Sequence, residues 1–467
     1  MRWAVFVMLA GTTMLAGCNL APAHVRPVGA IPASLPQGGP YEALSSDAAD
    51  ISTIGWRDFF VDAKLRDVIS IGLENNRDLR VAAANILQAR ALYRVQRADQ
   101  LPTINASGAH ESSRTLSATP SADVIRTEEF SLGVGISAFE LDLFGRVRNL
   151  SRAAFEEYLA SQEARRSVRI SLVAEIASTY LSLAADQDLL DIARDTMESF
   201  RVSLDLTRAQ FRIGVISELD VRQAETAFQG ARNDVASLTT QIAQDRNALD
   251  LLAGTPVGPE LLPAPQDDHS LVLTELPANL SSTVLLQRPD VVQAEHLLLA
   301  QDANIGAARA AMFPTLSLTA AFGALSGGLS GLFDSRARTW NVTPSLALPL
   351  FDFGRLRANV RYSEASRDAA VATYEKTLQT AFREVADALA LRGTINEQLD
   401  ARERGAASAA MAAHLSDARY RAGVDSFLIS LDSQRTAYAA RQGLNSVRLL
   451  RAQNLVQLYR SLGGGLD

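Results

Sequence analysis

Two short stretches, far apart in the chain, are near copies of one another. Phe211-Arg-Ile-Gly-Val-Ile-Ser-Glu-Leu-Asp220 is echoed by Tyr420-Arg-Ala-Gly-Val-Asp-Ser-Phe-Leu-Ile429. Each reads as a glycine turn between two helices, because a helix often ends on a residue with φ > 0, which glycine supplies without strain. The spacing around the turns repeats too. Gly145 to Gly214 and Gly354 to Gly423 are both 69 residues, and Asp78 to Pro102 and Asp290 to Pro314 are both 24. Phe144-Gly-Arg146 is matched by Phe353-Gly-Arg355, and Leu101-Pro-Thr103 by Phe313-Pro-Thr315. Spacings kept to the residue mark an internal duplication. Each half reads as helix, two strands, very long helix, glycine turn, return helix.

The periodicities assign those elements. From about Asp62 to Arg97 the apolar positions Leu65, Val68, Ile69, Leu79 and Ile86 predict one helix, stopped at Leu101-Pro102. The period then falls to two: Phe130, Leu132, Val134, Ile136 and Ala138 alternate with Ser131, Gly133, Gly135 and Ser137. That is a strand with one greasy face and one small, polar face. Thr103–His110 reads as a weaker partner strand, with Glu111–Arg126 as a polar loop between the two. No Pro or Gly stands between Arg146 and Ile213, so an unbroken helix there would run roughly 100 Å. Ile176, Leu183, Leu190, Met197, Leu204 and Phe211 recur every seven residues as a coiled-coil-like seam. The return helix carries an apolar stripe from Val221 to Leu252 that Asp245 interrupts once.

The boundaries that follow are a first repeat over 61–260, a connection over 261–285, a second repeat over 286–462 and a flexible tail over 463–467. Within the repeats, strand pairs occupy about 102–140 and 314–350, long helices about 146–212 and 355–421, and return helices about 217–253 and 426–461. Residues 1–17 read as a signal peptide: a basic start at Arg2, a short apolar core and small residues before a cut site. Leu15-Ala-Gly-Cys18 resembles the bacterial lipobox, whose cysteine is acylated. Cys18 is the sole cysteine of the chain, which leaves no internal disulfide. Asn19, in place of Asp, favours sorting to the outer membrane by that resemblance. A Pro-, Ala- and Gly-rich linker leads on to Trp56-Arg-Asp-Phe-Phe60, an aromatic patch placed to pack on the body, so that 18–60 forms one anchored segment.

The formal charge of -7 argues against a nucleic-acid partner. Five dispersed histidines show no metal-ligand spacing, and no nucleotide-binding or nucleophile motif is present, so no catalytic residue, metal or cofactor is expected. Internal apolar runs fall short of the ~18 residues a membrane helix requires. A membrane crossing would have to use strands. Four strands cannot close a barrel, and an open edge cannot face lipid, so several chains would have to contribute to one barrel. Phe130, Phe139, Phe322, Trp340 and Phe351 read as strand-end aromatics of a membrane girdle, or as the core of a soluble β layer.

The lipobox, Trp56–Phe60, Glu140-Leu-Asp-Leu-Phe-Gly145, Leu286-Gln-Arg-Pro-Asp290, Ile305-Gly-Ala-Ala-Arg309, Thr380-Ala-Phe-Arg-Glu-Val-Ala-Asp387 and Tyr420–Arg435 together resemble the TolC-like outer-membrane efflux family. The resemblance is to its OprM-type lipoprotein branch and covers essentially the whole chain. It implies a mainly α protein with a transmembrane β-barrel portion, assembled as a homotrimer with twelve strands in the outer membrane and twelve helices in the periplasm. It also implies an equatorial belt from residues near 41–75, 254–285 and the C-terminus. The implied function is the passive exit duct of a tripartite efflux pump, working with a periplasmic adaptor and an inner-membrane RND-type pump. A secretion duct or a coiled-coil adaptor lipoprotein are the alternatives.

The implied sites are mechanical. Arg212, Gly214, Val215, Arg421, Gly423 and Val424 match the tips that meet the adaptor, unless the glycines are simple caps. Leu428, Leu431, Asp432 and Arg435 stand at three- and four-residue steps and so are expected on one helix face. By the resemblance, Leu428, Asp432, Arg435 and Tyr420 form the periplasmic gate. Arg421 or Asp220 of a neighbouring subunit is expected in the surrounding ion pairs. A plain solvated helix face is the other reading of these positions.

Overall fold

The computed structural model describes residues 19–41, 54–116, 124–263 and 282–464. The signal peptide and Cys18 lie outside the described residues. In chain order the elements are α1 (Trp56–Phe59), α2 (Ala63–Asn75), α3 (Arg77–Ala98), β1 (Ile104–Leu116), β2 (Val124–Leu141), α4 (Arg146–Arg212), α5 (Glu218–Ala253), α6 (Pro289–Ala310), β3 (Thr315–Ser326), β4 (Arg338–Ala347), α7 (Arg355–Arg421) and α8 (Phe427–Ser461). Both α4 and α7 are 67 residues long. The duplicated order of helix, strand pair, long helix and return helix is present in both halves. The halves are not the compact bodies, however. One unit gathers residues 85–162 and 293–375 with the N-terminal segment; the other gathers 28–84, 163–292 and 376–467.

The first unit holds a four-stranded antiparallel sheet in the order β1-β2-β3-β4. β1 and β2 pair in unbroken register from Ile104↔Ile136 to Leu116↔Val124. The polar loop expected over Glu111–Arg126 is therefore mostly strand, and Phe130 lies mid-strand rather than at an end. Alternating side chains on both partners keep the ladder going past the greasy stretch, which composition alone could not reveal. Glycine marks the tightest cross-strand contacts: a Cβ on Gly135 would meet the Ala320 carbonyl oxygen at 2.6 Å, and one on Gly323 the Leu132 carbonyl oxygen at 2.3 Å. Between Ile136 and Phe139 the β2–β3 register slips, and Ala138 takes φ 49° with its N–H donated to the Thr319 hydroxyl.

In the same unit the N-terminal segment is fastened to α6. Arg26 makes a bidentate pair with Glu295, and the His24 imidazole lies 3.1 Å from Asp302, which also accepts from Arg367. Ala153, Ala300 and Ala303 let α4 and α6 approach closely. Gly306 belongs to Ile305–Arg309 and has no room for a side chain, since Ala21 and the Asn149 amide would lie under 3 Å from its Cβ.

The second unit is helical. Asn76 ends α2 and breaks the single helix expected from Asp62 to Arg97. Its side chain accepts from the N–H groups of Asp78 and Leu79, capping α3, and donates to the Leu252 carbonyl. The aromatic patch packs as expected: Phe59 stacks on Tyr459 with ring centroids 4.1 Å apart, and the Tyr459 hydroxyl donates to the Ile54 carbonyl. Arg288 is buried, yet its guanidinium is fully engaged by Asp290, Glu384 and the Ser461 carbonyl. A buried cation left unpaired would be costly, which explains why Arg288, Asp290 and Glu384 occur together. Helix α4 has an 18-residue window of mean hydropathy 1.3, enough by composition to cross a membrane, but 56% of that window is buried in the protein.

Candidate functional site

The two echoed turns adopt the same hydrogen-bonded closure. In the first, Gly214 N–H donates to the Phe211 carbonyl and Val215 N–H to the Gln210 carbonyl, at 2.9 and 3.0 Å. In the second, Gly423 N–H donates to Tyr420 and Val424 N–H to Arg419, both at 2.9 Å. This is the Schellman arrangement, which satisfies carbonyls that the helix end would leave orphaned. Gly214 and Gly423 stand at φ 77° and 73°, and a Cβ on either would meet nothing within 4 Å. Backbone conformation alone demands glycine there. Around them Arg212, Ile213, Val215, Arg421 and Val424 are exposed.

The turns differ on the return side. Ser217 and Asp220 form a complete capping box at the start of α5. Asp220 is thereby engaged within its own chain. Ser426 at the start of α8 makes no side-chain cap; there Asp425 instead pairs bidentately with Arg419, at 2.6 and 2.9 Å. Arg421 pairs with Asp417, one turn back on α7.

Behind the turns lies a small core: Phe200 and Leu204 of α4, Val221, Ala224, Ala227 and Ala231 of α5, and Phe427 and Leu431 of α8. Leu431 is 1% exposed and Leu428 is 51% exposed. This corrects the four-residue face. Leu428, Asp432 and Arg435 are exposed together, whereas Leu431 follows Phe427 at the next four-residue step into the core. Tyr420 packs on that core, tilted against Phe427 with centroids 5.5 Å apart, and its hydroxyl donates to Gln210 at 2.5 Å. Burial pushes its phenol pKa up. Among the described residues, neither Asp432 nor Arg435 has an ion-pair partner within the chain.

With this geometry in view, comparison with known proteins is decisive. A family profile described as "Outer membrane efflux protein" matches residues 68–255 and 280–464, one segment per repeat. The chain belongs to the outer membrane efflux protein family. It is 44% identical over 455 residues to "Probable efflux pump outer membrane protein TtgC" of Pseudomonas putida (strain KT2440), covering 97% of this chain and 93% of that one. Among solved structures it superposes on a membrane protein from Pseudomonas aeruginosa with TM-score 0.88, at 39% identity, over 96% of this chain and 98% of the other. The crystal structure of CusC gives TM-score 0.85, also at 39% identity, over 96% and 100% of the two chains. This efflux protein is thus an outer-membrane channel component with the α/β channel fold of its relatives.

Within this efflux protein the structure adds groups that sequence reading passed over. Asp245, which interrupts the α5 stripe, is buried; Gln241 donates to its Oδ1, while its Oδ2 has no donor among the described residues. The neighbouring carboxyl is Asp186 of α4. Its pKa is pushed up to about 7, first by burial and then by a hydrogen bond to Asp245 and the charge of that group. The break in the stripe was the available signal. The Tyr438 hydroxyl donates to Asp234 at 2.9 Å, and Arg441 lies 3.6 Å from Asp195, tying α8 to α5 and α4. Nothing in the local sequence pairs these residues, which lie 204 and 246 positions apart.

Proposed function

We propose that this outer-membrane efflux protein is the passive exit duct of a tripartite pump, opened at its periplasmic end by a partner. The observation that carries the reading is the open sheet. Among the described residues β1 and β4 pair on one side only, and Ile104, Leu132, Val134, Phe322, Trp340 and Val342 expose apolar side chains on one face of the sheet. An isolated four-stranded sheet of this kind would leave both edges and a greasy face unsatisfied in a membrane. Three copies supply twelve strands and close the barrel.

The homotrimer, the acylated Cys18 anchor in the outer-membrane lipid, the periplasmic adaptor and the RND-type pump complete the proposal. Energy enters through the pump, and the duct needs no catalysis or cofactor. Relatives are named for antibiotic, toluene and solvent efflux and, for CusC, for cation efflux; we assign small toxic compounds as the class of cargo. In this reading Arg212, Gly214, Val215, Arg421, Gly423 and Val424 form the adaptor-docking tips. Leu428, Asp432 and Arg435 line the gate, with Tyr420 bracing it from behind. The exposed, unpaired Asp432 and Arg435 support this, because each is free to meet a charge on a neighbouring subunit.

The test is conductance. Replacing Leu428 and Asp432 together with alanine should raise single-channel conductance in planar bilayers and sensitise cells to vancomycin. Unchanged conductance in a folded, heat-modifiable trimer would sink the gate assignment.

A further inference from the structure

The two faces of the β1–β2 hairpin carry opposite charges beyond the membrane band. On the apolar face the register runs Ile104/Ile136, Ala106/Val134, Gly108/Leu132, His110/Phe130, Ser112/Glu128 and Arg114/Arg126. His110 and Phe130 stack with centroids 4.2 Å apart, which confirms that opposed residues share a face. The other face at the same level carries Glu111 opposite Glu129. On β3 and β4 the apolar face continues through Phe322/Trp340 to Ala324/Arg338. Glu111 and Glu129 stand on the small, polar face, and Arg114 and Arg126 on the greasy one with Glu128 beside them.

Distance places the arginines at a headgroup. At ~3.3 Å per residue and a tilt of ~40°, β2 rises roughly 28 Å from Leu141 to Phe130, close to the ~25 Å apolar band of a membrane barrel. Arg126 then stands roughly 10 Å beyond the aromatic level on the lipid side. Arg114 and Arg126 are directly opposed like charges, an arrangement that is unfavourable unless an anion bridges them. Arg114 and Arg126 are exposed, and neither has an ion-pair partner among the described residues. Among the described residues of β1 and β2, Glu128 is the single acid on that face beyond the aromatic pair.

We propose that Arg114 and Arg126 form a basic rim on the lipid-facing side of the barrel that binds the phosphates of lipopolysaccharide in the outer leaflet. Guanidinium groups suit phosphate because they donate in parallel pairs to its oxygens. The hairpin end of the sheet faces outward only if the helices extend into the periplasm, so the inference rests on the exit-duct reading.

The experiment compares the full-length protein with its Arg114→Ser/Arg126→Ser variant. Each is reconstituted with vesicles containing intact lipopolysaccharide, enzymatically dephosphorylated lipopolysaccharide, or phosphatidylglycerol. We expect wild-type affinity for intact lipopolysaccharide to fall on the order of tenfold, either on dephosphorylation or in the double variant, as loss of both basic groups at an anionic surface predicts. Should the double variant fold poorly, Arg126→Ser alone should weaken binding roughly threefold by the same reasoning. Equal binding by folded wild type and variant would overturn the proposal, as would equal preference for phosphatidylglycerol or complete displacement by millimolar inorganic phosphate. Bilayer conductance is recorded on the same samples. A wild-type protein that conducts nothing refutes the duct, whereas the phosphate dependence tests the rim.

Discussion

Replacing Asp186 by asparagine should stabilise the protein at alkaline pH and do nothing at acid pH. In the folded chain this carboxyl is pushed up from 3.8 to about 7, first because it is buried and then by its hydrogen bond to Asp245 and the charge of that group. A raised carboxyl pKa means that the folded state holds a proton which the unfolded state has released. Stability therefore falls as pH climbs from about 4 to about 7, and levels off above that. A rise from 3.8 to about 7 would correspond to roughly 4 kcal/mol for an isolated, fully buried group. Asp186 is only partly buried, so solvent screening reduces the effect to about 1–2 kcal/mol. Asparagine mimics the protonated acid in shape and lacks the charge. The thermal midpoint of Asp186→Asn should match wild type at pH 4.5 and exceed it by about 2–4 °C at pH 8. The assay is intrinsic-fluorescence melting of the full-length protein in detergent, at a fixed scan rate because large proteins often unfold irreversibly. A difference between variant and wild type that stays constant across pH, or that grows towards acid, would refute the raised pKa of Asp186.

Further substitutions have defined outcomes. Gly214→Ala and Gly423→Ala should each cost about 1–2 kcal/mol, the penalty of placing a Cβ residue at positive φ, whereas Gly254→Ala should cost more. Gly254 combines φ 70° with a Cβ position 2.5 Å from the Asn75 carbonyl oxygen; thermal melting of the three variants gives the ranking. Leu431→Ala should destabilise by about 2–4 kcal/mol through a core cavity, while Leu428→Ala should leave the melt within about 0.5 kcal/mol and change conductance instead. Cys18→Ser should abolish incorporation of labelled palmitate, and label that persists would remove the lipid anchor from the proposal.

Much of the architecture was legible without coordinates. The 69-residue spacing between Gly145 and Gly214, repeated between Gly354 and Gly423, bounds two helices of equal length, and α4 and α7 are equal. Helix ends are local events: a glycine at positive φ or a proline stop is written into a few neighbouring residues. The alternation from Phe130 to Ile136 likewise announced a strand with one greasy face, because side-chain direction on a strand depends only on parity. The break at Asn76 was less visible, since its reason is a hydrogen bond to Leu252, 176 residues away.

The chain by itself determined the repeat, the order of elements and the two turn chemistries, all of which depend on short-range geometry. Only the tertiary structure decided which side of each element faces a partner. It turned Leu431 inward and left Leu428, Asp432 and Arg435 exposed. It set Asp186 against Asp245 and Asp234 against Tyr438, and it brought Arg114 into register with Arg126. The physical reason is common to all of these. A helix or strand fixes the angle between its own side chains, but the rotation and register at which it meets another element are set by packing, and packing joins residues tens to hundreds of positions apart.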